Sequence, residues 1–132
     1  MARDPLAALQ RLRRLETAMA RRHLAERLGA IAAAEVRQAL AHEALVTEAR
    51  APAGDFAAWL PRGLAERDRA GGALAHAEQR GAEAQQAVAE ARAAERSVEW
   101  LREEQAAAHR RLVARKTQAA LDDAAARRRR ER

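Results

Sequence analysis

Across the last third of the chain, Val98, Leu101, Gln105, Ala108, Leu112, Arg115, Ala119 and Asp122 recur at alternating steps of three and four. On an α-helix that is the spacing of a coiled-coil seam. The apolar members come first, and the stripe turns charged toward its end. No Gly or Pro interrupts residues 94–130. One narrow apolar stripe cannot bury itself, so such a helix needs a partner.

The first third supplies a candidate. Asp4-Pro5 is a helix start, with Asp4 as N-cap and Pro5 at the first helical position. Leu6, Leu9, Leu12, Leu15 and Met19 then keep an apolar stripe, which Leu24, Leu28, Ile31, Gln38 and Leu45 continue after a phase slip near Arg21-Arg22. A straight helix drifts in this way against a strict seven-residue repeat. The pattern predicts one helix over about residues 5–50, on the order of 65–70 Å long at about 1.5 Å per residue.

Ala51-Pro52-Ala53-Gly54-Asp55 breaks the pattern. Pro52 cannot donate to a helix ladder, Gly54 permits a turn and Asp55 can cap a second helix. Phe56, Trp59 and Leu60 gather there, just before Pro61. The cluster is read as pinning the bend in preference to offering a docking knob, and exposure of Trp59 would shift that balance. The second helix starts near Asp55 or Pro61 and runs to about residue 128. Its opening portion is the weakest, because Gly63, Gly71, Gly72 and Gly81 each cost about 1 kcal/mol against alanine. A kink, flexibility or close helix approach is expected at Gly71-Gly72.

The fold expected is all-α, a long antiparallel two-helix coiled-coil hairpin. It forms a single coiled-coil domain over residues 1–132: a helix over about 5–50, a bend over about 51–62, a helix over about 63–128 and a basic C-terminal end. The second arm is the longer, so it should overhang the first. The overhang should carry the basic C-terminus, packed beside the outermost N-terminal residues.

Composition sharpens this picture. Hydrophobic residues make up 48% of the chain, but alanine supplies much of that, and alanine favours helix while offering little surface to bury. Aromatics reduce to Phe56, Trp59 and Trp100, so a thick globular core is not expected. The net charge of +6 favours an acidic partner, nucleic acid or an anionic surface. Absence of cysteine removes disulfide and thiol chemistry and suits a reducing cytoplasm. No apolar run approaches the roughly 20 residues that span a bilayer. The N-terminus lacks the apolar core of a secretory signal, and Asp4 and Glu16 argue against an organelle transit peptide.

No catalytic constellation, cofactor site or metal site is expected. His23, His42, His76 and His109 are scattered, with only Glu26 near His23. His42-Glu43-Ala44-Leu45-Val46 begins like a zinc-protease motif but lacks the second histidine. Gly71-Gly72 is followed by no Lys-Ser/Thr, so no phosphate-cradling loop forms. Ser97 lies in mid-helix, not on a strained elbow. Glu103-Glu104 and Asp122-Asp123 point about 100° apart on a helix, as solvated faces do. Arginines at 127–130 and 132 could contact nucleic acid or anionic lipid. A helix end whose cations favour the dipole, helped by Asp123 and Arg127 at i,i+4, is the preferred reading. No aromatic is interleaved there to stack on bases.

Trp100-Leu-Arg-Glu-Glu-Gln, followed by Arg115-Lys-Thr-Gln-Ala-Ala-Leu-Asp-Asp-Ala-Ala, resembles the C-terminal helix of the FliJ/YscO family, the stalk proteins of flagellar and related type III export systems. Members typically carry a leucine about twenty residues before an E-Q-x-x-L-D-E-like stretch. Leu101 matches the leucine, and Gln118, Leu121 and Asp122 match the stretch. Thr117 departs from the family's usual Glu, and Asp123 replaces another Glu conservatively. The resemblance implies a non-enzymatic stalk that enters the pore of the hexameric export ATPase and contacts the cytoplasmic domain of the export gate. Export chaperones are further implied partners. By the family's plan the paired termini enter the ring and the bend near Phe56 and Trp59 points outward. The implied location is cytoplasmic, peripheral at the inner-membrane export apparatus, without membrane insertion or a specific nucleic-acid partner. The implied partner-binding residues are Gln118, Leu121 and Asp122, with Leu101 as a seam anchor, although both leucines could simply hold the two helices together. Two other readings stay open: a generic coiled-coil scaffold or adaptor, and a basic nucleic-acid-associated helix, ranked last because the charge is otherwise dispersed.

Overall fold

The computed structural model describes residues 4–132, all in two helices apart from short connecting and terminal residues: α1 (Pro5–Arg50) and α2 (Phe56–Arg130). The helices pack against each other as a helical hairpin. No strand occurs among the described residues.

Local chemistry sets the helix ends. The Asp4 carboxylate accepts from the backbone N–H of Leu6 at 3.0 Å and of Ala7 at 3.2 Å, satisfying two donors that a helix start leaves orphaned. At the bend, Ala51 N–H donates to the Thr47 carbonyl at 3.0 Å, and Ala53 N–H to the Glu48 carboxylate at 3.3 Å. Asp55 then opens α2, its carboxylate accepting from Ala58 N–H at 3.3 Å. Helix therefore begins at Phe56, within the stretch expected to bend, and Pro61 lies inside it. Pro61 removes one ladder hydrogen bond. The Asp55 cap and the rings of Phe56 and Trp59, stacked with centroids 6.2 Å apart, hold the turn preceding it.

Contacts gather into two compact units. One joins Leu15–Arg92 through the bend, and the other joins the described residues up to Arg14 with Ala93–Arg132. In the Leu15–Arg92 unit the pairing is antiparallel: Arg37 meets Glu66, Gln38 lies against Gly71, and Ile31 against Gly81. The inward positions of α1 there are Thr17, Ala20, Leu24, Ile31, Ala34, Ala41 and Leu45. Ala70, Ala77, Gly81, Ala84, Val88 and Ala91 face inward from α2. Both sets step by three, four or their sum of seven, but small residues dominate. In the other unit Leu6, Gln10 and Arg13 turn inward on α1, and Val98 and Arg102 on α2. Arg102 donates to Gln10 and pairs with Asp4 at 3.6 Å, and Arg14 pairs with Glu95 at 3.8 Å.

These positions revise the stripe read from the large side chains of α1. Leu12, Leu15, Met19 and Leu28 are 48–63% exposed and lie off the seam. Of the residues read into that stripe, Leu6, Leu24, Ile31 and Leu45 do turn inward. Small residues win the seam because they let two backbones approach closely. A β-carbon placed on Gly81 would come within 2.7 Å of the Ile31 side chain. Close approach falls at Gly81 and not at Gly71-Gly72, where α2 runs unbroken and a β-carbon would fit: at Gly71 it would sit 3.8 Å from the Gln38 amide, and at Gly72 it would meet nothing within 4 Å.

Candidate partner-binding end of the second helix

From Ala108 to the end of α2 every residue is exposed, and no other described segment covers it. Any packing beside residues 1–3 lies outside the described residues. This stretch has helix-favouring alanine, no Gly or Pro, and four arginines in its last turn, where cations complement the helix dipole. Sequence and dipole thus favour helix, while nothing in the unit buries its apolar side chains. Leu112, Val113 and Leu121 are 46%, 48% and 60% exposed.

Three of the four sequence-predicted site residues come together here. Gln118, Leu121 and Asp122 stand at i, i+3 and i+4, and so share one face. The Gln118 amide donates to the Asp122 carboxylate at 2.9 Å, which fixes both polar groups beside Leu121. Leu121 itself lines a shallow surface depression with Ala124, Ala125, Arg128 and Arg129. The face therefore offers an apolar centre, a carboxylate and amide on one side, and guanidinium groups on the other. It can bind a surface of mixed polarity with acidic groups.

Leu101 is not brought to that face. It sits twenty residues earlier, about 30 Å along the helix axis. Nor does it anchor the seam, where Val98 and Arg102 take the inward positions; Leu101 is 45% exposed. Instead it joins Trp100 in an open surface depression with Ala93, Arg96 and Ser97. Trp100, 60% exposed, is a candidate contact that periodicity did not single out. Its signal was present: two positions from Val98 is about 200° around the helix, facing away from the seam.

Elsewhere the chemistry stays structural. Trp59 is half-buried and packs onto Gly63, where an added β-carbon would lie 2.6 Å from its ring, so the aromatic pair holds the bend. Among the described residues no group of three or more His, Asp or Glu side chains could hold a metal ion. His23 meets Glu26 at 3.9 Å and accepts from Arg27 at 3.4 Å on an exposed face. Among the described residues, the one ion pair with perturbed titration is Arg37–Glu66. Its hydrogen bond of 2.9 Å lowers the Glu66 carboxyl below its ordinary value and raises the Arg37 guanidinium. No described helix is long and apolar enough to cross a membrane.

No protein family, curated protein or solved structure matches the chain, so the likeness to the FliJ/YscO stalk proteins rests on the quoted residues and the hairpin plan alone.

Proposed function

We propose that this protein is a non-enzymatic stalk of a flagellar or related type III protein export apparatus. It binds the hexameric export ATPase and the export gate's cytoplasmic domain through the far end of α2. One observation carries the reading: residues 108–130 form a continuous helix exposed on every side, with Leu112, Val113 and Leu121 left uncovered. An isolated helix of that length is marginal in water, so a partner that covers it stabilises it. The arrangement of Gln118, Leu121 and Asp122 on one face supports their assignment as contact residues, and Leu101 beside Trp100 offers a second contact.

A stalk does its work by touching different subunits of a ring differently, since a ligand shifts an equilibrium only through differential affinity. A thin alanine-rich helix bearing guanidinium groups suits a narrow polar pore. In this reading the protein needs no cofactor and acts in the cytoplasm, peripheral to the inner-membrane export apparatus, with export chaperones as further partners. The test is affinity capture with the tagged full chain from lysate of its own cells, nuclease-treated and washed at moderate salt. Recovery of the hexameric export ATPase or the export gate is expected. Recovery of only the chain itself, or only ribosomal and nucleoid proteins, would contradict the reading. A self-associating scaffold is the second reading, favoured by the exposed apolar side chains along α1.

A further inference from the structure

The Leu15–Arg92 unit leaves five large apolar side chains of α1 uncovered: Leu15, Met19, Leu28, Val36 and Leu40 are 49–63% exposed. Four of them fall on one stripe, which runs 15, 19, 22, 26, 29, 33, 36, 40 in alternating steps of four and three. The stripe lies two positions from the inward-facing residues, about 200° around the helix, so the α1–α2 pairing cannot reach it. Its order is unusual. Large apolar residues occupy both ends, and the middle holds Arg22, Glu26, Gly29 and Ala33, all exposed.

Read backwards, the stripe repeats its own spacing. A second copy laid antiparallel on it sets Leu15 against Leu40, Met19 against Val36, Arg22 against Ala33, and Glu26 against Gly29. Each long polar side chain then meets a small residue that leaves it room to reach water, while apolar meets apolar at both ends. A parallel copy would instead stack Arg22 on Arg22 and Glu26 on Glu26, which like-charge repulsion disfavours. The flank obeys the same rule. Ala18, Ala25, Ala32 and Ala39 recur every seventh residue and are all exposed, a small-residue edge that permits close approach.

Gly29 adds an independent observation. Within a helix glycine is less favourable than alanine. Yet a β-carbon there would meet nothing within 4 Å. No contact inside the chain accounts for it, whereas the approach of Glu26 from a second copy would.

We infer that this face of α1 binds a second copy of the chain, forming an isologous antiparallel dimer about a two-fold axis near residues 27 and 28. The pattern of the stripe selects the occupant, because the same stripe reversed sets apolar against apolar at both ends and a small residue against each of Arg22 and Glu26. The stripe is about 38 Å long at about 1.5 Å per residue. Two such stripes supply on the order of 1,000 Å² of buried surface, near the lower bound for a specific interface. Polar Arg22 and Glu26 set the register at some cost in affinity. The inference uses only residues of the Leu15–Arg92 unit and stands whether or not the stalk reading does.

Sedimentation equilibrium of the full chain is expected to give a concentration-dependent doubling of mass. Met19→Lys with Val36→Lys should weaken association at least tenfold while the circular-dichroism helix signal of the monomer persists. Orientation is read with a short thiol-to-thiol crosslinker, since the native chain has no cysteine. Leu15→Cys mixed with Leu40→Cys should crosslink, and neither alone should. A monomer at every accessible concentration would overturn the inference. So would crosslinking of Leu15→Cys to itself, which marks a parallel pair, or unchanged association of the double lysine variant.

Discussion

At the scale of single residues, space decides more than residue type. Gly63 and Gly72 look alike in the sequence, yet an added β-carbon strikes the Trp59 ring at Gly63 and meets nothing within 4 Å at Gly72. Gly72→Ala should therefore raise stability by up to about 1 kcal/mol through helix propensity. Gly63→Ala should lower it by about 1–2 kcal/mol, because the ring stacked on Phe56 has to move. Chemical denaturation of both variants checks the pair, and equal effects would contradict the packing described. Arg37 and Glu66 give a second residue-scale prediction. The folded Glu66 carboxyl titrates below its ordinary value of 4.5, chiefly because Arg37 donates to it. Its contribution to stability is complete above that ordinary value and is lost as pH falls through the folded one. Both side chains are exposed, so the contribution is small. Carboxyl titration by NMR should find Glu66 depressed in the native chain and back near its ordinary value in Arg37→Gln.

At the scale of elements, the caps and breaks were legible in the sequence, and the packing phase only in part. Asp4-Pro5 and Asp55 mark both helix starts through side-chain acceptors that sequence alone identifies. Where α2 begins was harder, because Pro61 reads as a boundary while the cap and the aromatic stack before it carry the helix through. The seam was misread on part of α1 for a physical reason. Large side chains announce burial, but beside Leu6, Leu24, Ile31 and Leu45 this seam holds Ala, Gly, Thr and long polar residues that gain from close approach. Leucines at 12, 15 and 28 were thereby credited to the wrong face. On α2, Leu101 was read as an anchor when Val98 and Arg102 hold that place. Clustering of Gln118, Leu121 and Asp122 was legible, since i, i+3, i+4 spacing fixes it on any helix. What was not legible is how far the exposed stretch runs. Residues 108–130 are exposed throughout, and no other described segment covers them, so their amides should exchange with deuterium at least about tenfold faster than those of residues 74–98. Equal protection along α2 would mean that something covers its end.

At the scale of the molecule, the apolar core is thin. The buried hydrophobic residues are Ala41, Ala70, Ala84 and Val98, and no large side chain is fully buried among the described residues. Alanine contributes little buried area, so the free chain has little stability to spare, and whatever binds it raises that stability by mass action. The thermal midpoint should therefore rise with protein concentration and with any true partner. Removing residues 127–132 should leave the midpoint nearly unchanged, because those side chains are all exposed. The exposed end of α2 and the exposed stripe of α1 thus offer surfaces whose cover must come from outside the hairpin. For the end of α2 the proposed cover is the export ATPase. Binding of the full chain to the purified hexamer, measured alongside Leu121→Glu and Asp122→Arg with helicity recorded in parallel, decides the matter. The native chain should bind, and each variant should bind at least about tenfold more weakly at unchanged helicity. Native affinity in both variants, or no binding by the native chain, would refute a stalk that works through this face.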